Sequence, residues 1–179
     1  MATNALSPLP VPKRVVTTHD EGGKSIVQQI TPLQYQFYPG SKSSFSNAWT
    51  FDTVPTNDNN ASVDGGERGI TGPGLGIVHA GGVSCRYNDL APGMSEPSPM
   101  HRTTSTDVIV MISGQIILVL EDGSETLLDK PGDSVIQRGT AHAWRNPSST
   151  EWARFLAVVV DAEPVLVDGK ELKNEFLHM

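Results

Sequence analysis

The sequence predicts an all-β protein, either a sandwich or a barrel, that folds as one domain. Short runs rich in β-branched residues, such as TDVIVMIS and QIILVLED, are separated by turn signals at intervals of about 8–12 residues. The turn signals are the dipeptides Ser113-Gly114, Asp122-Gly123 and Pro131-Gly132. A chain of 179 residues with 37% apolar and 18% charged residues has the size and composition of one globular domain with its own core.

The first third of the chain is less regular. Residues 1–13 are proline-rich and predict a flexible N-terminal arm, after which residues 14–179 form the barrel domain. RVVTTHDEGGKSIVQQ predicts two short strands around a turn at 21–23. Residues 56–76 are polar and rich in glycine, and therefore predict a long surface loop.

The core of the barrel is predicted at about 78–168, where strand patterns follow one another closely. In the tail GKELKNEFLHM, Leu172, Phe176 and Leu177 are spaced as on one face of a helix. The tail therefore predicts a short C-terminal helix.

Composition excludes several classes of function. The net charge is −7 and no run of Lys or Arg is present, which argues against a nucleic-acid partner. No segment approaches the ~20 apolar residues of a membrane helix, and the N-terminus lacks the apolar core of a secretory signal. A cytoplasmic location is the resulting expectation. The single cysteine, Cys85, excludes an internal disulfide and a multi-cysteine zinc module.

Two separate stretches carry the candidate site. In a regular strand, residues two apart share a face, and the following side chains of the first stretch have the same parity: His101, Thr103, Ser105 and Asp107. In the second stretch, His142 and Trp144 share a face in the same way. If both strands belong to one small barrel, the two imidazoles and the carboxylate converge inside it. They form either a three-ligand metal set or, without a metal, a proton-transfer set.

The same residues could also have purely structural roles. A histidine on a strand is often a satisfied structural residue, and Thr103 can be an ordinary strand hydroxyl. Asp107 can anchor a turn or cap an amide. Trp144 and Met111 fit either a pocket wall or core packing.

The two stretches resemble the paired motifs of the cupin superfamily, a family of jelly-roll β-barrels. Residues matching the first motif are Gly93, His101, Asp107 and Gly114, and those matching the second are Gly132, His142 and Asn146. A narrower group of single-domain, cupin_2-like proteins is similar over nearly the whole chain, through RVVTTHDEGGKS, 49–55, MHRTTSTD, QRGTAHAWRN and DAEPV. The resemblance implies a jelly-roll barrel.

The chain departs from metal-binding cupins at two positions where those proteins have metal ligands. Thr103 stands where those proteins have their second histidine, and Asp107 stands where they have glutamate. Because a hydroxyl is a poor ligand for a transition ion, the affinity for a metal should fall. The sequence therefore leaves two possibilities for the cofactor: none, or one divalent metal (Zn, Fe or Mn) held by His101, Asp107 and His142.

The resemblance implies an enzyme of microbial or fungal specialised metabolism that acts on a small polyketide or aromatic molecule. The favoured chemistry is lyase-like: dehydration, decarboxylation or a related rearrangement. His101 and His142 would transfer protons, because imidazole titrates near working pH, and Asp107 would orient one ring. The residues assigned to substrate binding are Thr103 and Gln137 for a substrate oxygen, and Trp144, Met100, Met111 and Trp49 for the apolar wall.

Two alternatives remain. One is a metal-dependent dioxygenase that uses the His101, Asp107 and His142 set at ferrous iron. The other is a non-catalytic barrel that binds a small ligand. In every case the partner is a small molecule. A homodimer is expected as well, because open sheet edges and an extended arm favour pairing between copies.

Overall fold

The computed structural model describes residues 7–177, which form an all-β jelly roll with one 3-10 turn at Asp58–Asn60. The all-β barrel expected from the turn spacing is therefore confirmed. The strands are β1 Lys13–His19, β2 Ser25–Pro32, β3 Gln36–Phe37, β4 Ser44–Phe51, β5 Val83–Leu90, β6 His101–Arg102, β7 Ser105–Ser113, β8 Ile116–Leu120, β9 Glu125–Leu128, β10 Ser134–Arg138, β11 His142–Arg145, β12 Ala153–Asp161, β13 Leu166–Val167, β14 Lys170–Glu171 and β15 Glu175–Phe176.

Two antiparallel sheets enclose the main core. The six-stranded sheet has the order β10-β7-β12-β5-β4-β3, and the five-stranded sheet has the order β15-β6-β11-β8-β9. Met111 and Phe155 from the first sheet pack with Leu118 and Trp144 from the second in one buried cluster. The inner face of each sheet can therefore be recognised from the residues that belong to this cluster.

The chain changes sheets between β6 and β7. His101 lies on the five-stranded sheet, and Asp107 lies on the six-stranded sheet. The crossing is made at Thr103, whose Oγ1 is 2.9 Å from Oγ of Ser105. Along β7 the buried positions are the odd ones, so that Ser105 and Asp107 face the interior together with Met111.

The N-terminal hairpin has the predicted form. β1 and β2 pair with each other as a separate two-stranded sheet. At the turn, Oδ1 of Asp20 accepts hydrogen bonds from the backbone N–H groups of Gly22 and Lys24. Gly23 has φ +78°, a conformation that glycine adopts without strain.

Part of the predicted arm, residues 1–6, lies outside the described residues. Residues 7–12 have no regular secondary structure and lie against the barrel. Nη1 of Arg154 donates to the Pro10 carbonyl at 2.6 Å, and the backbone N–H of Leu33 donates to that of Pro12 at 3.0 Å.

The glycine-rich loop at 56–76 is held by charged contacts. Arg68 forms an ion pair with Asp58 at 2.7 Å, and Arg14 forms one with Asp64 at 2.6 Å. The indole N–H of Trp49 also donates to Asp58 at 2.7 Å. Polar side chains thus order a segment that has little apolar surface to bury.

The predicted C-terminal helix is wrong for the described residues. The tail instead forms β14 and β15, and β15 extends the five-stranded sheet by pairing with β6. Nη1 of Arg102 donates to Glu175 at 2.6 Å, and the backbone N–H of Leu177 donates to the Met100 carbonyl. Pairing with an open sheet edge therefore overrides the helical spacing of the apolar residues.

Among residues 7–177, no helix has the length and apolar character that a bilayer crossing requires.

Candidate active site

Two imidazole rings meet inside the barrel. His101 on β6 and His142 on β11 are direct partners in the antiparallel register, so their side chains project from the same face of the sheet. The ring centroids are 4.3 Å apart, with an angle of 51° between the planes. His142 is buried, and its ring contacts Trp144, a member of the main core, which places the pair on the inner face.

Backbone carbonyls fix the same tautomer in both rings. Nδ1 of His101 lies 3.0 Å from the Pro99 carbonyl oxygen, and Nδ1 of His142 lies 3.0 Å from that of Thr140. Because a carbonyl oxygen only accepts, each Nδ1 carries the hydrogen. Each neutral ring therefore keeps a lone pair on Nε2.

Burial favours the neutral form of both rings. Burial first, and then the neighbouring His101, lower the pKa of His142 to about 3. Burial also lowers the pKa of His101 below the ordinary histidine value. The pair therefore presents proton acceptors rather than proton donors.

Asp107 and Gln137 complete the polar interior. They are register partners on β7 and β10, and both are buried. Nε2 of Gln137 donates to the Thr140 carbonyl at 3.3 Å, the same oxygen that Nδ1 of His142 contacts. Oδ1 of Asp107 and Oε1 of Gln137 are buried without a hydrogen-bond partner. Thr140 thus links the acid-bearing sheet to the histidine-bearing sheet.

Burial raises the pKa of the Asp107 carboxyl to about 6, and the Ser105 hydroxyl and the charge of Arg86 partly oppose this rise. A carboxyl with this pKa exchanges protons near neutral pH. Asp107 is therefore the group of this interior that can supply a proton, while the two imidazoles can accept one.

The role expected for Asp107 as a ring-orienting partner needs correction. The Nδ1 atoms of His101 and His142 are directed to the carbonyls of Pro99 and Thr140 instead. The chain crosses between sheets at residue 103, so Asp107 lies on the other sheet from His101 and His142.

The donors present do not form the metal set expected from the sequence. Among residues 7–177, no group of three or more His, Cys, Asp or Glu side chains could hold a metal ion. His101 and His142 have free Nε2 atoms, but Asp107 does not join them as a third ligand. These three residues therefore do not fit the three-ligand metal centre expected from the sequence.

The apolar wall differs from expectation at two positions. Trp144 and Met111 lie inside, in the main core. Met100 packs with Val119 and Ala143 in a second cluster on the opposite face of the five-stranded sheet, because it is adjacent to His101 and therefore has the opposite parity.

Trp49 is also displaced from the interior. A register shift between Asn47 and Trp49 on β4 moves the indole to the outer face of the six-stranded sheet. There it contacts the guanidinium of Arg14 and donates to Asp58. Without the bulge, its odd parity would have pointed it inward beside Asn47.

Sequence reasoning missed two neighbours of the site. Phe176 on β15 is the register partner of His101, with ring centroids 5.9 Å apart. Arg86 on β5 is buried on the inner face and acts electrostatically on Asp107. In VSCRYNDL, Arg86 has the same strand parity as Ser84 and Asn88, so a charged residue on the inward face could have been recognised from the sequence. Phe176 had no comparable signal, because its position depends on pairing of the tail.

A cleft of about 260 Å³ is lined by residues from the segment before β5 and from the C-terminal segment, among them Gly74, Val78 and Asn174. A larger cleft of about 510 Å³ is lined by Thr140 among others, the residue whose carbonyl Gln137 and His142 contact. The side chains that line these two clefts do not include either imidazole or the Asp107 carboxyl.

Comparison with known proteins identifies similar chains from fungi, although no family model matches. The chain is 38% identical over 166 residues to the phomopsin biosynthesis cluster protein D of Diaporthe leptostromiformis, covering 92% of this chain and 86% of that protein. It is 34% identical over 165 residues to the cupin-domain-containing oxidoreductase fogC of Aspergillus ruber, covering 90% of this chain and 78% of that protein.

A solved structure supports the fold. The polyketide cyclase RemF from Streptomyces resistomycificus aligns with a TM-score of 0.50 at 13% identity, over 82% of this chain and 81% of that chain. At this identity the likeness concerns the jelly-roll architecture.

Proposed function

Because this chain belongs to the cupin-domain proteins, whose similar members stand in fungal biosynthesis clusters, we propose that it is an enzyme of secondary-metabolite biosynthesis. It acts on a small polyketide or aromatic molecule held inside the barrel. The reaction is lyase-like acid–base chemistry: dehydration, decarboxylation or a related rearrangement. The pair of imidazoles with free Nε2 atoms, His142 buried and His101 half-buried, is the observation that carries the proposal.

The acid and the bases belong to different walls of the barrel. Nε2 of His101 is the base, since its Nδ1 already donates to the Pro99 carbonyl, whereas a pKa of about 3 makes His142 a much weaker base. Asp107 is the acid, since burial raises the pKa of its carboxyl to about 6. Groups on opposite sides of a bound molecule can act on two adjacent atoms of that molecule.

A dehydration illustrates the assignment. One Nε2 takes a proton from the carbon next to a carbonyl, and the electron pair of that C–H bond forms a C=C bond. The C–O bond of the neighbouring carbon breaks, and Asp107 gives its proton to the departing hydroxyl, which leaves as water. Oε1 of Gln137, which has no partner within the protein, accepts a hydrogen bond from a substrate hydroxyl. The proton on the imidazole then returns to Asp107 through solvent.

Two simple aromatic probes test this chemistry. The purified protein is incubated with 3-hydroxy-3-phenylpropanoate and with benzoylacetate, and NMR follows formation of cinnamate or acetophenone. We expect turnover of at least one probe, and its loss in the His101→Ala/His142→Ala double variant. The matched control is Arg145→Gln, which removes an outer-face ion pair with Glu125 on the same strand as His142.

Full activity of the double variant would remove the histidines from the mechanism. Binding of both probes without any turnover, in the wild-type protein, would favour a non-catalytic ligand-binding barrel instead.

An oxidoreductase is the second candidate, and the name of the Aspergillus ruber relative favours it. Such a reaction requires an electron acceptor in addition to the residues described above. Oxygen consumption during turnover, and arrest of turnover under argon, would identify that chemistry. Equal rates in air and argon support the acid–base assignment.

A further inference from the structure

Arg86 is a buried cation on the inner face of β5. It is 5% exposed, and its register partner on β12 is Ala157, a member of the main core. A charged side chain is rarely buried among core residues unless an opposite charge or a set of hydrogen bonds compensates for its lost hydration.

The protein satisfies this guanidinium only in part. Nη2 donates to the Gly76 carbonyl at 3.2 Å and lies 3.5 Å from that of Ile77. The guanidinium carbon also lies 5.3 Å from the ring centroid of Phe45, and the guanidinium interacts electrostatically with the phenol of Tyr38. Within residues 7–177 it forms no ion pair, and its Nε is buried without a partner.

The nearest acid does not complete the set. Asp107 interacts electrostatically with Arg86, but its Oδ1 has no hydrogen-bond partner. The facing Gln137 has an unpartnered Oε1 as well. Together with Oδ1 of Asn47, the register partner of Arg86 on β4, four buried polar atoms on one inner face thus lack partners, and one of them belongs to a cation. Buried polar atoms are normally paired, so their concentration here points to a ligand that supplies the missing partners.

We propose that Arg86 binds a carboxylate of the substrate, and that the enzyme therefore acts on small aromatic or polyketide carboxylic acids. The inference rests on the proposed function, since it concerns the substrate of the same interior. The planar guanidinium matches a carboxylate, which offers two acceptor oxygens in one plane. The Phe45 ring beside Arg86 and the Trp144 ring beside His142 provide apolar surface for an aromatic body.

The segment that contacts Arg86 also borders a cleft. The carbonyls of Gly76 and Ile77 belong to the segment that precedes β5, and the cleft of about 260 Å³ is lined by Gly74 and Val78 of that same segment. Under this proposal the carboxylic acid enters the interior along this segment.

The test compares a charged probe with a neutral one of the same shape. Binding of benzoate and of benzamide is measured by NMR titration with the wild-type protein, Arg86→Gln, Arg86→Lys and the outer-face control Arg145→Gln. We expect the wild-type protein and the control to bind benzoate at least about tenfold more tightly than benzamide. In Arg86→Gln the two affinities should agree within about twofold, with benzamide binding unchanged.

The titration is repeated in the His101→Ala/His142→Ala double variant. If the double variant still prefers benzoate, the carboxylate site at Arg86 is supported even when the variant has no activity. Failure of the carboxylate site can therefore be distinguished from failure of the proposed acid–base reaction. Equal affinities in the wild-type protein, or no benzoate binding at all, would overturn the inference.

Folding of each variant is checked by circular dichroism. If Arg86→Gln does not fold, Arg86→Lys gives the decision, because lysine keeps the charge and loses the planar fork. A preference reduced at least about threefold in Arg86→Lys supports the site, and an undiminished preference overturns it.

Discussion

Gln137 and His142 are directed to one and the same acceptor, the carbonyl oxygen of Thr140, at 3.3 and 3.0 Å. Gln137 belongs to the six-stranded sheet and His142 to the five-stranded sheet. Because Gln137 is also the register partner of Asp107, this single carbonyl connects the wall that carries the acid with the wall that carries the bases. Residues that are distant along the chain therefore form one polar interior.

Replacing His101 should reduce the rate while leaving the fold intact. We expect His101→Ala to lower kcat by about 10²–10⁴-fold, the range for loss of a proton-transferring group, and His142→Ala to lower it less, because His142 is the weaker base. Steady-state kinetics with the responsive probe measures the effect, and Arg145→Gln should retain the wild-type rate. A change confined to KM would instead assign the rings to binding.

The rate should depend on the protonation of Asp107. Since burial raises the pKa of this carboxyl to about 6, the acid form is present below that pH and is lost above it. We therefore expect kcat/KM to fall about tenfold per pH unit above pH 6. Asp107→Asn should be slow at every pH, without this alkaline limb. A limb that persists in the residual activity of Asp107→Asn belongs to another group.

The same shift in the pKa of Asp107 should make the free energy of unfolding depend on pH. The folded pKa of Asp107, about 6, lies above its ordinary value of 3.8, so the folded state binds the proton more tightly than the unfolded state. The free energy of unfolding therefore includes a contribution that is complete below pH 3.8 and is lost as pH rises to about 6. Two pK units correspond to about 3 kcal/mol as an order of magnitude.

Urea unfolding of the wild-type protein and Asp107→Asn at several pH values checks this. The stability of the variant relative to the wild-type protein should increase between pH 4 and pH 6 and then stay constant. A difference that does not change with pH would show that Asp107 keeps an ordinary pKa.

Removing metal ions should leave activity unchanged. The donors of residues 7–177 form no group of three His, Cys, Asp or Glu side chains suited to a metal, and His101 and His142 alone are a weak site. We expect dialysis against a chelator to change the rate by less than about twofold, with less than about 0.1 equivalent of bound transition metal. Stoichiometric Zn, Fe or Mn together with lost activity would contradict the assignment and restore the metal-dependent alternatives.

The homodimer expected from the sequence stays a prediction. Val15 and Ile30 are register partners on the N-terminal hairpin and are 49% and 60% exposed. Apolar pairs of this kind are common where two copies meet. Light scattering after size-exclusion chromatography should give twice the chain mass, and Val15→Asp should reduce it to one chain mass. A monomeric wild-type protein would end this prediction.

The sequence alone predicted the barrel and the inward direction of several site residues. Turn dipeptides at short intervals limit strand length, and alternation along β7 assigns Asp107 and Met111 to the buried face. His142 and Trp144 share a face for the same reason. These features depend on neighbours within a few residues, which a sequence displays directly.

Only the tertiary structure decided the remaining features. A bulge on β4 turns Trp49 outward, and pairing with β6 converts the expected C-terminal helix into a strand that brings Phe176 to His101. The partners of the imidazoles and the position of Arg86 beside Asp107 likewise arise from contacts between distant segments. Local spacing specifies which face a side chain uses, but strand order, register shifts and sheet edges specify what that side chain meets.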